Sequence, residues 1–249
     1  MPELFKLLLL ALLGIFAGFL NITAGGGSLL TLPFLIFLGL PAAVANGTNR
    51  IAILIQNIFA TARFHQFKVI PKGTTLIAVV PALAGSIIGA NLAVDISDAL
   101  FERILAVIMI LVLAIMLFSP GRKVSNSTPL LNTSKKFLMA LSFFGIGIFG
   151  GFIQAGIGFL IIMILTAVGY DLVRTNALKV LVVLIFTPVV LFIFISNGQV
   201  DFLKGFVLAV GQALGGWIAT RIVVERGHRF VRWIVMVAVV GFAVKLFLG

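Results

Sequence analysis

Long apolar runs follow one another along this chain, broken by short polar stretches, from "LFKLLLLALLGIFAGFL" (4–20) to "WIVMVAVVGFAVKLFL" (233–248). The pattern predicts ten segments, at 4–22, 26–40, 44–64, 73–94, 99–118, 136–154, 157–169, 173–196, 201–222 and 229–248. Most are close to the ~20 residues that cross a hydrocarbon core of about 30 Å as a helix. Barrel strands would be about ten residues long with strict alternation, and nothing here alternates. The expected fold is therefore an all-α polytopic membrane protein. Two segments depart from the rule. Those at 26–40 and 157–169 are short, and each begins at a glycine-rich break, "AGGGS" (24–28) or "AGIG" (155–158). Glycine weakens a helix interior, and unwound backbone survives at membrane depth only beside protein, water or a ligand. Short helices that begin at such breaks are what transporters place around a midplane site.

The polar stretch "SPGRKVSNSTPLLNTSKK" (119–136) divides the segments five and five, and the two halves align. "GFLNITAGGGSLL" (18–30) faces "GFIQAGIGFLI" (151–161), and beyond Gly39 and Gly169 the offset stays at 130, pairing Asn46 with Asn176, Gly85 with Gly215 and Ile104 with Ile234. The reading is a first transmembrane repeat at 1–118, a cytoplasmic linker at 119–135 and a second repeat at 136–249. The opening run resembles a signal peptide, but its return in the second repeat marks it as a membrane segment. Loop charge bears on orientation. The basic loop 63–73 has a nearly neutral partner at 196–205, and the acidic loop 94–103 has a basic partner at 224–233. Equivalent loops on opposite sides of the membrane would differ in this way, so the repeats are expected to be inverted in topology. Loops 63–73, 119–136 and 221–232 are assigned to the cytoplasm and both termini to the outside, in a cytoplasmic (inner) membrane. Parity then requires segments six and seven either both to cross or to form a re-entrant hairpin together.

Composition narrows the chemistry. Apolar residues make up 61% of the chain and charged ones 10%, with a net charge of +11. The basic residues are spread over short loops rather than gathered on one face, so the expected partner is the lipid bilayer and not nucleic acid. A second copy of the chain, as a homodimer, is a further candidate partner. Without cysteine there is no disulfide or thiol chemistry. The seven acids, Glu3, Asp95, Asp98, Glu102, Asp171, Asp201 and Glu225, fall in loops or at segment ends, and His65 and His228 sit in basic loops. No HExxH pair, Ser–His dyad or Walker loop is present. Neither an enzyme nor a cofactor or metal requirement is expected.

The remaining polar residues gather around the breaks. Amides freed at the start of a short helix, with its positive dipole end, suit an anion, which singles out Gly25, Gly26, Gly27, Gly156 and Gly158. "NGTNR" (46–50) and "RTNALK" (174–179) open the third segment of each half. Ser28, Asn46, Thr48, Asn49, Gln154, Thr175 and Asn176 could contact an oxyanion, and Arg50 and Lys179 could supply charge. The competing readings are plain. Asn46 and Asn176 could cap helices, Arg50 and Lys179 could snorkel to the interface, and Gln56, Asn57 and Gln212 could be interhelical glue. Gly14, Gly18, Gly85, Gly89, Gly211 and Gly215 read as close-packing positions.

These motifs resemble the sulfite exporter TauE/SafE family of membrane permeases. The likeness lies in "AGGGSLLTLPFLIFLGLPAAVANGTNR", its counterpart "QAGIGFLIIMILTAVGYDLVRTNALK", the basic "FKVIPKG" and the closing "AGSIIGANLA…LFERILAVIMILVLAIMLF". The second copy departs from the pattern, with Ile157 between the glycines, Phe159 in place of Ser28 and no match for Pro33. The resemblance implies a secondary transporter of small sulfur-containing oxyanions, sulfite or organosulfonates, more often exported than imported. An anion channel on the same helices and a non-transporting membrane partner protein are the alternatives.

Overall fold

The structure, a computed structural model, describes residues 3–71, 73–118 and 131–226. The segment expected at 229–248, and most of the 119–136 linker, lie outside the described residues. Within them the chain forms nine helices and no strand: α1 (Glu3–Thr23), α2 (Ser28–Phe37), α3 (Ala42–Gln66), α4 (Thr75–Val94), α5 (Asp98–Phe118), α6 (Thr133–Phe152), α7 (Ile157–Val168), α8 (Leu172–Ser196) and α9 (Phe202–Arg226). Helices α1, α4, α6, α8 and α9 are long and apolar enough to cross a membrane. Helix α3 is as long as α8, and its lower apolarity comes from the polar residues Asn46, Asn49, Arg50, Gln56 and Asn57. Many outward side chains are large and apolar, among them Leu8, Leu12, Leu76, Ile110, Phe137, Phe206 and Leu214, as a lipid-facing surface requires. The chain is a multi-pass helical membrane protein.

Acids at the segment ends turn out to start helices. The Asp171 carboxylate accepts from the Arg174 amide and opens α8, and Asp201 accepts from the Lys204 amide and opens α9. Both are N-cap bonds that satisfy an orphan donor of the first turn. Asp98 does the same across a gap, accepting from the Ala43 amide at the start of α3.

Helices α3 and α8 cross the centre antiparallel. Gly47, near the start of α3, lies against Gln199 and Phe194 at the end of α8, while Thr74 beyond α3 shares a hydrogen bond with Tyr170 ahead of α8. On either side of this pair, two long helices run parallel in close contact. Gly14 and Gly18 of α1 pack on Leu208 and Gln212 of α9, and Gly85 and Gly89 of α4 pack on Phe144 and Ile148 of α6. These glycines are packing surfaces, as their spacing suggested.

The directions settle how the short helices run. Helix α9 starts beside Thr48 near the start of α3, and α1 runs parallel to α9, so α1 starts on that face too. Helix α2 then returns to the face from which α1 entered. By the same reasoning α6 enters from the opposite face, where α4 starts, and α7 returns to that face beside Thr74. Ten residues in α2 and twelve in α7 give about 15 and 18 Å of helix, too short for a core of about 30 Å. Segments one and two, and segments six and seven, are thus hairpins with one long arm and one short arm.

The α4–α6 contact makes a stability prediction. A Cβ at Gly85 would enter the space of the Phe144 carbonyl, whereas one at Gly145 meets nothing within 4 Å. Gly85→Val should therefore cost about 1–3 kcal/mol through overpacking, read as a lower thermal unfolding midpoint in detergent. Gly145→Ala should leave that midpoint unchanged or raise it, since it only removes a helix-interior glycine.

Candidate functional site: a cavity between two broken helices

The two breaks meet inside the bundle. Gly25 and Gly156 hold φ of 84° and 77°, the left-handed region that a side chain rarely tolerates. Gly25 lies back to back with Gly158, so a Cβ on either would run into the main chain of the other. Gly26 faces the ring of Phe159, and Gly27 lies against the Ala17 carbonyl of α1. The amides of Gly26, Gly27 and Ser28, and those of Gly156, Ile157 and Gly158, find no acceptor among the described residues. They are the orphan donors expected where α2 and α7 begin. The first turn of α2 is pinned to α3 by Asn49, which donates to the Ser28 hydroxyl at 3.1 Å and accepts from Thr31 at 2.7 Å.

The ends of the long arms are held by two buried cations. Lys179 of α8 donates to the carbonyls of Asn21 and Ile22, both at 2.8 Å, at the last turn of α1. Its third bond, 2.6 Å, goes to the Asn176 side-chain oxygen. Arg50 of α3 donates to the carbonyls of Gly150 and Gly151, at 3.0 and 2.6 Å, at the last turn of α6. Its guanidinium lies 4.7 Å from the Phe194 ring centre. Asn46 completes this corner by donating to the Phe152 carbonyl at 2.9 Å. A helix C-terminus presents free carbonyls and a negative dipole end, so each cation meets both needs. Neither snorkels: Arg50 is fully buried and Lys179 is 3% exposed. Nor do Asn46 and Asn176 cap their helices, since Pro41 and Asp171 occupy those positions.

Between α3, α8 and the two breaks lies a narrow cavity of about 10 Å³, room for about one water molecule. Its polar lining is Asn21, Asn57, Gln154 and Lys179, and its apolar wall is Ile53, Ile157, Val180 and Val183. Gln56 of α3 holds the lining residue Asn21, accepting from its side-chain amide at 2.8 Å and donating to the Gly18 carbonyl at 2.7 Å.

Of the residues singled out in the sequence, the structure brings Gln154, Gly158 and Lys179 to the cavity wall. Asn176 stands behind Lys179, and Gly25, Gly26, Gly27 and Gly156 shape the breaks. Ser28 and Asn49 form the pin on α2, while Asn46 and Arg50 hold the end of α6. Thr48 stands apart, accepting from the Asp201 amide at 2.8 Å and tying α3 to the start of α9. The Thr175 hydroxyl is buried and meets no partner among the described residues. Asn21 and Asn57 were not among the candidates. The signal for Asn57 is helical spacing: Asn46, Arg50, Ile53 and Asn57 recur at intervals of four, three and four, one stripe of α3.

Comparison with known proteins agrees with this geometry. Residues 10–246 match the family model described as "Sulfite exporter TauE/SafE". A protein of Escherichia coli K12 named "Probable membrane transporter protein YfcA" is 28% identical over 231 residues, 92% of this chain and 85% of the relative. A "Probable membrane transporter protein" of Haemophilus influenzae is 25% identical over 232 residues, 93% of this chain and 90% of the relative. A third, "Probable membrane transporter protein ORF9" of a Sinorhizobium species, is 24% identical over 235 residues, 92% of this chain and 88% of the relative. No solved structure matches. A match over nearly the whole length, to a family of membrane transporters rather than enzymes, leaves one assignment: the chain belongs to the sulfite exporter TauE/SafE family.

Proposed function

We propose that this membrane transporter moves a small sulfur-containing oxyanion through the central cavity, as an exporter working by alternating access. The observation that carries the reading is Lys179, a buried ammonium on the wall of a cavity between two broken helices. Burying an ion costs several kcal/mol, and intramembrane cations mark substrate or ion paths. The orphan amides of Gly26, Gly27, Ser28, Gly156 and Gly158 add a field that favours an anion nearby. The family match supports sulfite or an organosulfonate as the cargo.

The cavity is narrow, so this conformation is a closed form that a polyatomic anion enters only when a hairpin shifts. The short arms α2 and α7 enter from opposite faces, which suits opening to either side in turn. The division into repeats at 1–118 and 136–249 around a linker at 119–135, inverted in topology, is supported by the matching pairs α1 with α9 and α4 with α6. The linker and the 63–73 loop face the cytoplasm of an inner-membrane protein in this reading, with both termini outside, as their basic residues favour.

Transport is tested with purified protein in proteoliposomes preloaded with sulfite, by counterflow of labelled sulfite. Saturable counterflow is expected. Lys179→Gln should reduce it at least about tenfold, with Lys179→Arg retaining part of it because the charge and the α1 contacts survive. Large single-channel currents with no counterflow would support a channel instead, and no flux at all would sink the reading. Arg50→Gln should act on the structure first: losing charge-assisted bonds to two buried carbonyls costs about 2 kcal/mol or more, seen as a lower thermal midpoint than Arg50→Lys gives.

A further inference from the structure

We infer that the ends of α3 and α9 form a binding site for the headgroup of an anionic phospholipid, with Arg63 as the phosphate ligand and Trp217 as the platform that holds it. The inference stands apart from the transport reading, since neither residue lines the cavity. The guanidinium of Arg63, in the last turn of α3, lies 4.3 Å from the Trp217 ring centre and 5.6 Å from that of Phe67. Ring faces attract the cation and fix its plane, but they leave its N–H donors unused. Among the described residues no carboxylate pairs with it, and its Nε is buried without a partner. A guanidinium held in place and left without an acceptor is set for a phosphate, whose oxygens match its fork of donors.

The surroundings favour a lipid over a soluble anion. Trp217 continues an outward stripe of α9 made by Phe206, Val210 and Leu214, all exposed. Exposed Phe59 of α3 meets the Trp217 ring edge-on at 6.4 Å. This surface gives an acyl chain a track that ends at Arg63, and a tryptophan at the end of an apolar stripe marks the level of the headgroups. Arg221 follows Trp217 by one turn and is neutralised by Glu225 at 2.8 Å, whereas Lys68, just past α3, is exposed. The local charge is then positive, opposite to that of a lipid phosphate. Nor does helix packing need the cluster. At the offset of 130 that aligns the two halves, Arg63, Trp217 and Arg221 correspond to Ile193, Ile87 and Asn91, with neither a cation nor an indole.

The chain has two tryptophans, Trp217 and Trp233, so Trp233→Phe leaves Trp217 as the sole reporter. The full chain carrying that change is reconstituted in phosphatidylcholine vesicles, and its fluorescence is quenched with brominated phosphatidylglycerol or brominated phosphatidylcholine. Phosphatidylglycerol is expected to bind beside Trp217 about fivefold more tightly, the advantage that one basic residue gives near an anionic lipid. Arg63→Gln should abolish this preference, and Arg63→Lys should keep part of it, because the charge survives without the fork. Lys135→Gln removes an exposed charge at the start of α6, on the same side of the bundle, and should leave the preference intact. Equal quenching by the two lipids overturns the site, and an unchanged preference in Arg63→Gln overturns the role of Arg63. An equal loss in Lys135→Gln would mean diffuse surface charge rather than a site. Displacement of the lipid by inorganic phosphate would assign the site to a soluble anion, and no quenching by either lipid would mean that a second copy covers Trp217. Each of these three results also overturns the proposal.

Discussion

Everything near the centre of this protein depends on closing the backbone of two helices, α1 and α6, that end inside the bundle. A helix end leaves four carbonyls without partners, and in hydrocarbon no water is there to meet them. The chain solves this with long basic side chains from the central helices: Lys179 reaches the end of α1, and Arg50 the end of α6. The solution works in both directions. The carbonyls and dipole ends offset the desolvation cost of burying the cations, and the cations make it tolerable to break the helices. The back-to-back glycines Gly25 and Gly158 then let the two breaks touch, which leaves their free amides and the polar cavity side by side.

Much of the fold was legible because it follows from local physics. Apolar length located nine helices with ends close to those observed, Asp171 and Asp201 started helices where acids are favoured, and glycines marked both breaks. The packing glycines Gly14, Gly85 and Gly215 lie where close helix contact was expected. The partners of the buried cations were not legible. Lys179 meets carbonyls 157 and 158 positions away and Arg50 meets carbonyls 100 and 101 away, and nothing local announces such pairs. Snorkelling was the natural alternative for a cation near a helix end. It is overruled because another helix stops within reach of each side chain. Asn57 was visible as a polar residue in an apolar run, but only the meeting of α3 with α8 and the breaks gives it a cavity to face.

Helices α3 and α8 each hold the end of a long helix, with different side chains. Asn49 and Lys179 stand 130 positions apart, the offset that also pairs Asn46 with Asn176. In the first half the amide of Asn49 is consumed by Ser28 and Thr31 and fixes α2 to α3. In the second, Phe159 stands where Ser28 does in the first, offering no such hydroxyl. Lys179 turns instead to the end of α1 and to the open space beside it. Of these two positions, Asn49 fixes the short arm α2 and Lys179 holds the end of the long arm α1. With its three hydrogen-bond donors all engaged, Lys179 can give one to an incoming anion only by loosening its hold on α1 or Asn176. Under the transport proposal, an anion that competed for this side chain would act on the hairpin as well as on the site.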